Sequence, residues 1–314
     1  MDEIRYSLKK FDDPRLTAKG ERRAAVPYSG TKTLWFNTGT LCNIECTNCY
    51  IESSPTNDRL VYLTLADILP YLDELEDAGE TQIEIGFTGG EPFLAPQMIE
   101  MLEEALVRGH NVLLLTNAMQ PMMRPRVMDG LISLRERFND KLTIRVSLDH
   151  FSAKVHDQER GKQSFEIAMT GLRWLAQNQF HITIAGRALY NECEETARSG
   201  YSALFVSENF SIDANDPVSL VLFPEMLPNS DPPEITTECW GILDKSPSEI
   251  MCSNQRMVVK RKGEKLPTVI PCTLLPYDQR FNMGQTLKEA RKAVPLNHSY
   301  CATFCVLGGG SCSA

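Results

Sequence analysis

Residues 33–49, TLWFNTGTLCNIECTNC, begin as a strand and end in three thiols, Cys42, Cys46 and Cys49. TLWFNTG (33–39) has the apolar, β-branched and aromatic make-up of a strand, and the CxxxCxxC spacing follows on a loop. Soft thiolates select zinc, copper(I) or iron–sulfur clusters. Structural zinc takes a fourth protein ligand, catalytic zinc takes imidazole or carboxylate partners, and no histidine lies near this loop. Three cysteines suit three corners of an iron–sulfur cubane, leaving one iron open to chelate a substrate or cofactor.

Downstream, strands alternate with amphipathic segments. Strands are expected at 81–88, 111–117, 142–149, 181–189 and 217–223, with helices at 63–79, 96–109, 123–137, 164–177 and, less distinctly, 193–207. Thr64 and Asp67 form a capping box for the first helix, which Pro70 is expected to kink. This alternation gives about six βα units, an α/β chain with a partial (β/α)6 TIM-like barrel, whose chemistry belongs at the C-terminal ends of the strands.

The motifs stand at those ends: TGGEPFL (88–94), LLTNA (114–118) and RVSLDHFSAKVHDQERG (145–161). With CNIECTNC they resemble, in order and placement, the radical S-adenosylmethionine (radical SAM) superfamily over roughly residues 33–224. The resemblance implies a [4Fe-4S] cluster on Cys42, Cys46 and Cys49 whose open iron binds S-adenosylmethionine. It implies reductive cleavage to methionine and a 5′-deoxyadenosyl radical, which abstracts hydrogen from the substrate. Gly89 and Gly90 let the backbone approach a ligand, and Glu91 is then expected to hold the methionyl ammonium. Ser147 and Asp149, at i and i+2, suit ribose hydroxyls; Arg160 suits the methionyl carboxylate; Asn117 suits ribose or substrate. One departure is Asn48, where many members carry an aromatic residue before the third cysteine; Tyr50 follows the cysteine instead, to cover the cluster or adenine or to pack in the core. His156 is expected to make a local hydrogen bond.

Beyond the proline-rich stretch 225–238, read as a linker, the pattern changes. With 1–32 as an N-terminal extension and 33–224 as the core, 239–314 forms a small cysteine-rich domain. It is expected to hold a hairpin turning at GEK (263–265) and a short helix near 286–292. Cys252 and Cys272 flank the hairpin, and Cys301, Cys305 and Cys312 follow it. This resembles the SPASM and Twitch extensions of radical SAM enzymes, and implies one auxiliary [4Fe-4S] cluster on Cys252, Cys272, Cys301 and either Cys305 or Cys312, with Cys239 a further candidate beyond that set. Cysteine spacing alone leaves zinc open there. Cys193 reads as a buried structural thiol.

The 314 residues, 42% hydrophobic and 23% charged, suit a globular chain with a sizeable core. A net charge of −9 argues against a broad nucleic-acid or acidic-membrane surface, and no signal peptide or membrane span is evident, so a cytoplasmic protein is expected. In a reducing compartment ten cysteines point to metal rather than disulfides. The expected partners are a one-electron reductant such as flavodoxin or ferredoxin and a peptide or small-molecule substrate. With about 32 residues before the first strand, a fused leader-binding domain is not expected, so a peptide would need a separate recognition partner. The competing reading is an iron–sulfur electron carrier or sensor without S-adenosylmethionine chemistry.

Overall fold

The structure, a computed structural model, describes residues 9–189, 191–226 and 231–311. In chain order its elements are β1 (Ala25–Val26), β2 (Thr33–Asn37), α1 (Leu65–Asp77), β3 (Glu84–Thr88), α2 (Met98–Val107), β4 (Asn111–Thr116), α3 (Pro125–Phe138) and β5 (Leu142–Ser147). Then come α4 (Ala153–Arg160), α5 (Ser164–Gln177), β6 (His181–Ala188), α6 (Glu194–Ser207), β7 (Leu220–Pro224), α7 (Cys239–Ile242), β8 (Gln255–Val259), β9 (Thr268–Ile270) and β10 (Val294–Pro295). The six expected parallel strands are β2 to β7, adjacent in sequence order.

The sheet does not end with them. β8 pairs parallel to the free side of β2, and β9 pairs antiparallel to β8, giving the eight-stranded order β7-β6-β5-β4-β3-β2-β8-β9. The hairpin therefore turns between 259 and 268, around GEK, but it extends the core sheet across the expected 225–238 boundary. Residues 227–230 of that stretch lie outside the described residues.

Each helix buries one stripe. In α1 it is Ile68, Tyr71, Leu72 and Leu75, and in α5 Phe165, Ala168, Met169, Leu172 and Leu175. The Thr64–Asp67 capping box starts α1, which continues through Pro70, and the Asp67 carboxylate also receives Lys260 just after β8 (2.7 Å). At the strand level, register sets Trp35 of β2 opposite Gly86 of β3, and the indole occupies the space a Cβ on Gly86 would need. Trp35 Nε1 donates to Gln255 Oε1 on β8 (3.0 Å).

Two segments differ from expectation. The helix expected at 286–292 is reduced to a turn: the Glu289 carboxylate folds back to accept from the Gln285 and Thr286 amides (2.8 and 3.1 Å), and the chain then extends into β10. Cys301–Leu307, where no helix is expected, winds as a π-helix. No helix of the described residues is long and apolar enough to cross a membrane.

Candidate functional site: two cysteine-lined cavities

Asn37 of β2 and Phe223 of β7 line one cavity of about 170 Å³, although five strand spacings, roughly 24 Å in a flat sheet, separate them. The sheet is therefore curled, and the cavity sits at the strands' C-terminal ends. The cysteine loop contributes Cys42, Cys46, Cys49 and Tyr50. Gly89 and Gly90 follow β3, Asn117 follows β4, Ser147 ends β5, and Asp149 and Arg160 lie beyond it. No other cysteine and no histidine lines this cavity among the described residues.

The loop is clamped by neighbouring backbone. Cys42 N–H donates to Ser54 O (3.0 Å), and Thr47 N–H donates to Glu159 O at the end of α4 (2.9 Å). Asn48 Nδ2 donates to the Glu159 carboxylate (2.9 Å), so the residue at the departure from the family pattern ties the loop to α4. Gly90 N–H donates to Gly39 O (2.8 Å) and Glu91 N–H to Leu41 O (3.1 Å). A Cβ on Gly90 would collide with the Leu41 carbonyl, and one on Gly89 with Gly39. The glycine pair thus admits the lead-in of the cysteine loop as well as facing the cavity.

Glu91 itself stands behind the cavity wall. It is buried, with Oε1 accepting from Thr116 Oγ1 (2.9 Å) and Phe93 N–H (3.2 Å), and Oε2 from Asn117 N–H (2.9 Å). Burial pushes its carboxyl up to about 7 against those bonds. It thus clamps β3 to β4, and Oε2, which accepts a single bond, keeps acceptor capacity beyond that clamp. Asn117 is similarly engaged: Nδ2 donates to Asn43 Oδ1 (2.9 Å) and reaches Cys42 Sγ (3.8 Å).

Asp149 is held by two arginines. Arg160 grips it through Nε and Nη2 (2.9 and 3.0 Å), and Arg187 of β6 lies 3.6 Å away. Burial alone would raise the Asp149 carboxyl, but Arg160 and Arg187 outweigh it and hold it at about 2. Its oxygens are turned to the arginines, while Ser147 and Asp149 both line the cavity. Arg187, absent from the expected set, lines the cavity and has a buried Nε without a partner. Its signal was the same as for the others, a polar residue at the C-terminal end of an apolar strand. Burial pushes the Cys42 thiol up to about 12, a cost to its thiolate that a bound cation would offset.

His156 differs from expectation: it is fully buried and neither ring nitrogen has a hydrogen-bond partner. Its ring instead packs edge-on against Phe165 (5.6 Å).

A second, smaller cavity gathers Cys252, Cys272, Cys301 and Cys305 inside an apolar wall that includes Met251, Leu275 and Leu296. Cys252 precedes β8 and Cys272 follows β9, so the hairpin brings together positions 20 residues apart in sequence. The π-helix places Cys301 and Cys305 against the same space. Among the described residues, no three Cys, His, Asp or Glu side chains converge as a single ion requires; the four thiols surround a volume instead. Cys312 lies outside the described residues, and Cys239 on α7 does not line this cavity. Cys193 is exposed, not buried, because it precedes α6 at the surface.

Leu274 lines both cavities. Tyr50 spans the same boundary: it lines the first cavity while its ring packs on Phe304 (5.6 Å), between Cys301 and Cys305.

Residues 36–198 match the Radical SAM superfamily. The chain belongs to that superfamily. The match runs from the strand before the cysteine loop into α6 and takes in every motif at the strand ends of the first cavity. The chain is 29% identical over 171 residues to the antilisterial bacteriocin subtilosin biosynthesis protein AlbA of Bacillus subtilis (strain 168), covering 54% of this chain and 35% of AlbA. It is 29% identical over 167 residues to the mycofactocin maturase MftC of Mycolicibacterium smegmatis (strain ATCC 700084 / mc(2)155), covering 53% of this chain and 39% of MftC. These alignments thus span less than two-fifths of either relative. Its fold is similar to that of anSMEcpe with bound AdoMet and Kp18Cys peptide, with a TM-score of 0.57, 16% identity, and coverage of 85% of this chain and 82% of that one.

For a radical SAM chain, the donor sets fit the groups the family uses. Three thiols at one cavity match three corners of a cubane, and four thiols at the other match a fully ligated one.

Proposed function

We propose that the protein is a radical SAM enzyme that modifies a peptide or protein substrate. The observation that carries this reading is the single cavity in which three cysteines, a glycine pair and two arginines sharing one aspartate converge at the strand ends. The names of AlbA, a bacteriocin biosynthesis protein, and MftC, a maturase, support a peptide-like substrate.

Cys42, Cys46 and Cys49 would hold the [4Fe-4S] cluster. Bound there, it supplies an electron to S-adenosylmethionine, whose cleavage yields the radical that takes a hydrogen atom from the substrate. Arg187 through its partnerless Nε, and Arg160 through Nη1, the nitrogen that Asp149 does not engage, offer N–H donors to the methionyl carboxylate, and Asp149 orients both side chains. Gly89 and Gly90 bring peptide carbonyls to the cavity wall, where they suit the methionyl ammonium, and Ser147 offers a hydroxyl to ribose. Ile44, Leu115 and Phe223 give the cavity apolar walls that keep water from a reactive radical.

Cys252, Cys272, Cys301 and Cys305 would hold an auxiliary [4Fe-4S] cluster, which supplies an electron acceptor one side chain, Leu274, from the first cavity. With four cysteines at that site, electron acceptance is favoured over substrate ligation. A flavodoxin or ferredoxin is the proposed reductant.

The test is to incubate anaerobically reconstituted, dithionite-reduced protein with S-adenosylmethionine and quantify 5′-deoxyadenosine. Wild type should form it and Cys46→Ala should not. A wild-type protein with intact clusters and no product would instead be an electron carrier.

A further inference from the structure

Arg256 is 2% exposed, beside Cys252 in the fold. A buried guanidinium cannot shed its proton and is costly unless its charge is balanced. Two other buried arginines have carboxylates: Arg23 pairs with Glu234, and Arg187 lies 3.6 Å from Asp149. Among the described residues Arg256 donates to carbonyls alone, from Nε to Ala290 O (2.9 Å), from Nη1 to Cys252 O and Gln255 O (2.7 and 2.6 Å), and from Nη2 to Lys292 O (3.1 Å). Its remaining flank faces the Tyr28 ring at 4.8 Å. Carbonyls satisfy hydrogen bonds and leave the net charge in place. The acidic groups that act on its charge are the thiols of Cys252 and Cys272 and the Tyr28 phenol.

The charge has a counterpart if the four-cysteine cavity holds an anion. A cubane gripped by four thiolates is anionic in both its oxidation states, and more so when reduced. We propose that Arg256 is the fixed counter-cation of the auxiliary cluster and raises its reduction potential. This rests on the auxiliary-cluster reading above. A positive charge buried behind the cavity lining, on the Cys252 carbonyl, favours the more negative, reduced state, so it makes the site a better electron acceptor. The carbonyl bonds keep the charge in place: they join the Cys252 turn to the 290–292 segment before Cys301.

The test uses the full chain with Cys42, Cys46 and Cys49 replaced by alanine, so that only the auxiliary site remains. Arg256, Arg256→Lys and Arg256→Met forms are reconstituted with iron and sulfide without air. Iron per chain is measured, and the reduced cluster's electron paramagnetic resonance signal is followed against potential. The proposal expects the lysine form to keep its cluster with a midpoint near the parent's. The methionine form should have a distinctly more negative midpoint or lose its cluster. An unchanged midpoint in a fully loaded methionine form overturns it. So do equal losses of iron, or equal shifts, in the two variants, since the fork's carbonyl bonds would then be the whole role. If the parent with Arg256 intact takes up no cluster, the auxiliary-site reading itself falls.

Discussion

Two buried titratable residues beside the first cavity pull stability in opposite directions. Glu91, raised from 4.5 to about 7, favours folding while protonated, so its contribution is present below 4.5 and lost as pH rises through about 7. His156, which burial lowers from 6.5 to about 4, favours folding while neutral, so its contribution is present above 6.5 and lost as pH falls through about 4. Between pH 4.5 and 6.5 these slopes oppose each other. His156→Leu should therefore expose a stability that declines as pH rises, measured as urea midpoints of the cluster-free protein. It should cost little at neutral pH, because it removes a buried polar ring with no partner. Glu91→Ala should lose about 3 kcal/mol by the same measurement, since buried donors from Thr116, Asn117 and Phe93 lose their acceptor. Motif reading found Glu91, but not that its carboxylate also accepts from Thr116, Phe93 and Asn117; that depends on how β3 and β4 pair.

At the scale of elements, the cysteine loop holds its shape because glycine backbone and the end of α4 close on it. Gly90→Ala places a methyl group against the Leu41 carbonyl, a backbone atom that cannot swing aside. Iron uptake at Cys42, Cys46 and Cys49 should fall several-fold, while uptake at the second site persists. Iron and sulfide analysis in a Cys252→Ala background would show the loss, and the same analysis in a Cys46→Ala background the persistence. α4 itself escaped notice because AKVHDQER (153–160) has little apolar stripe: only His156 is buried. The π-helix at 301–307 escaped for a different reason, since its value lies in presenting two thiols to a cavity assembled by a distant hairpin.

Across the whole molecule, the cysteine-rich C-terminal segment is part of the main sheet. β8 covers four residues of β2, Gln255 receives the Trp35 indole, and Lys260 joins the capping carboxylate of α1. A chain ending at residue 238 would expose the edge of β2, an apolar strand buried along its whole length. It should aggregate on expression, and the full protein should unfold in one cooperative transition; two separated transitions by calorimetry would show an independent C-terminal unit.

Periodicity and local chemistry determined the six βα units, the capping box, the hairpin turn and the three-thiol loop, because each is written within a few neighbouring residues. Tertiary structure alone decided that β8 joins β2, that Glu91 clamps the strands, that Arg187 shares Asp149, and that Leu274 stands between the two cavities. Those outcomes depend on pairing between residues far apart in the chain, and on burial, which sets whether a charge is free to meet a ligand or is spent on its neighbours.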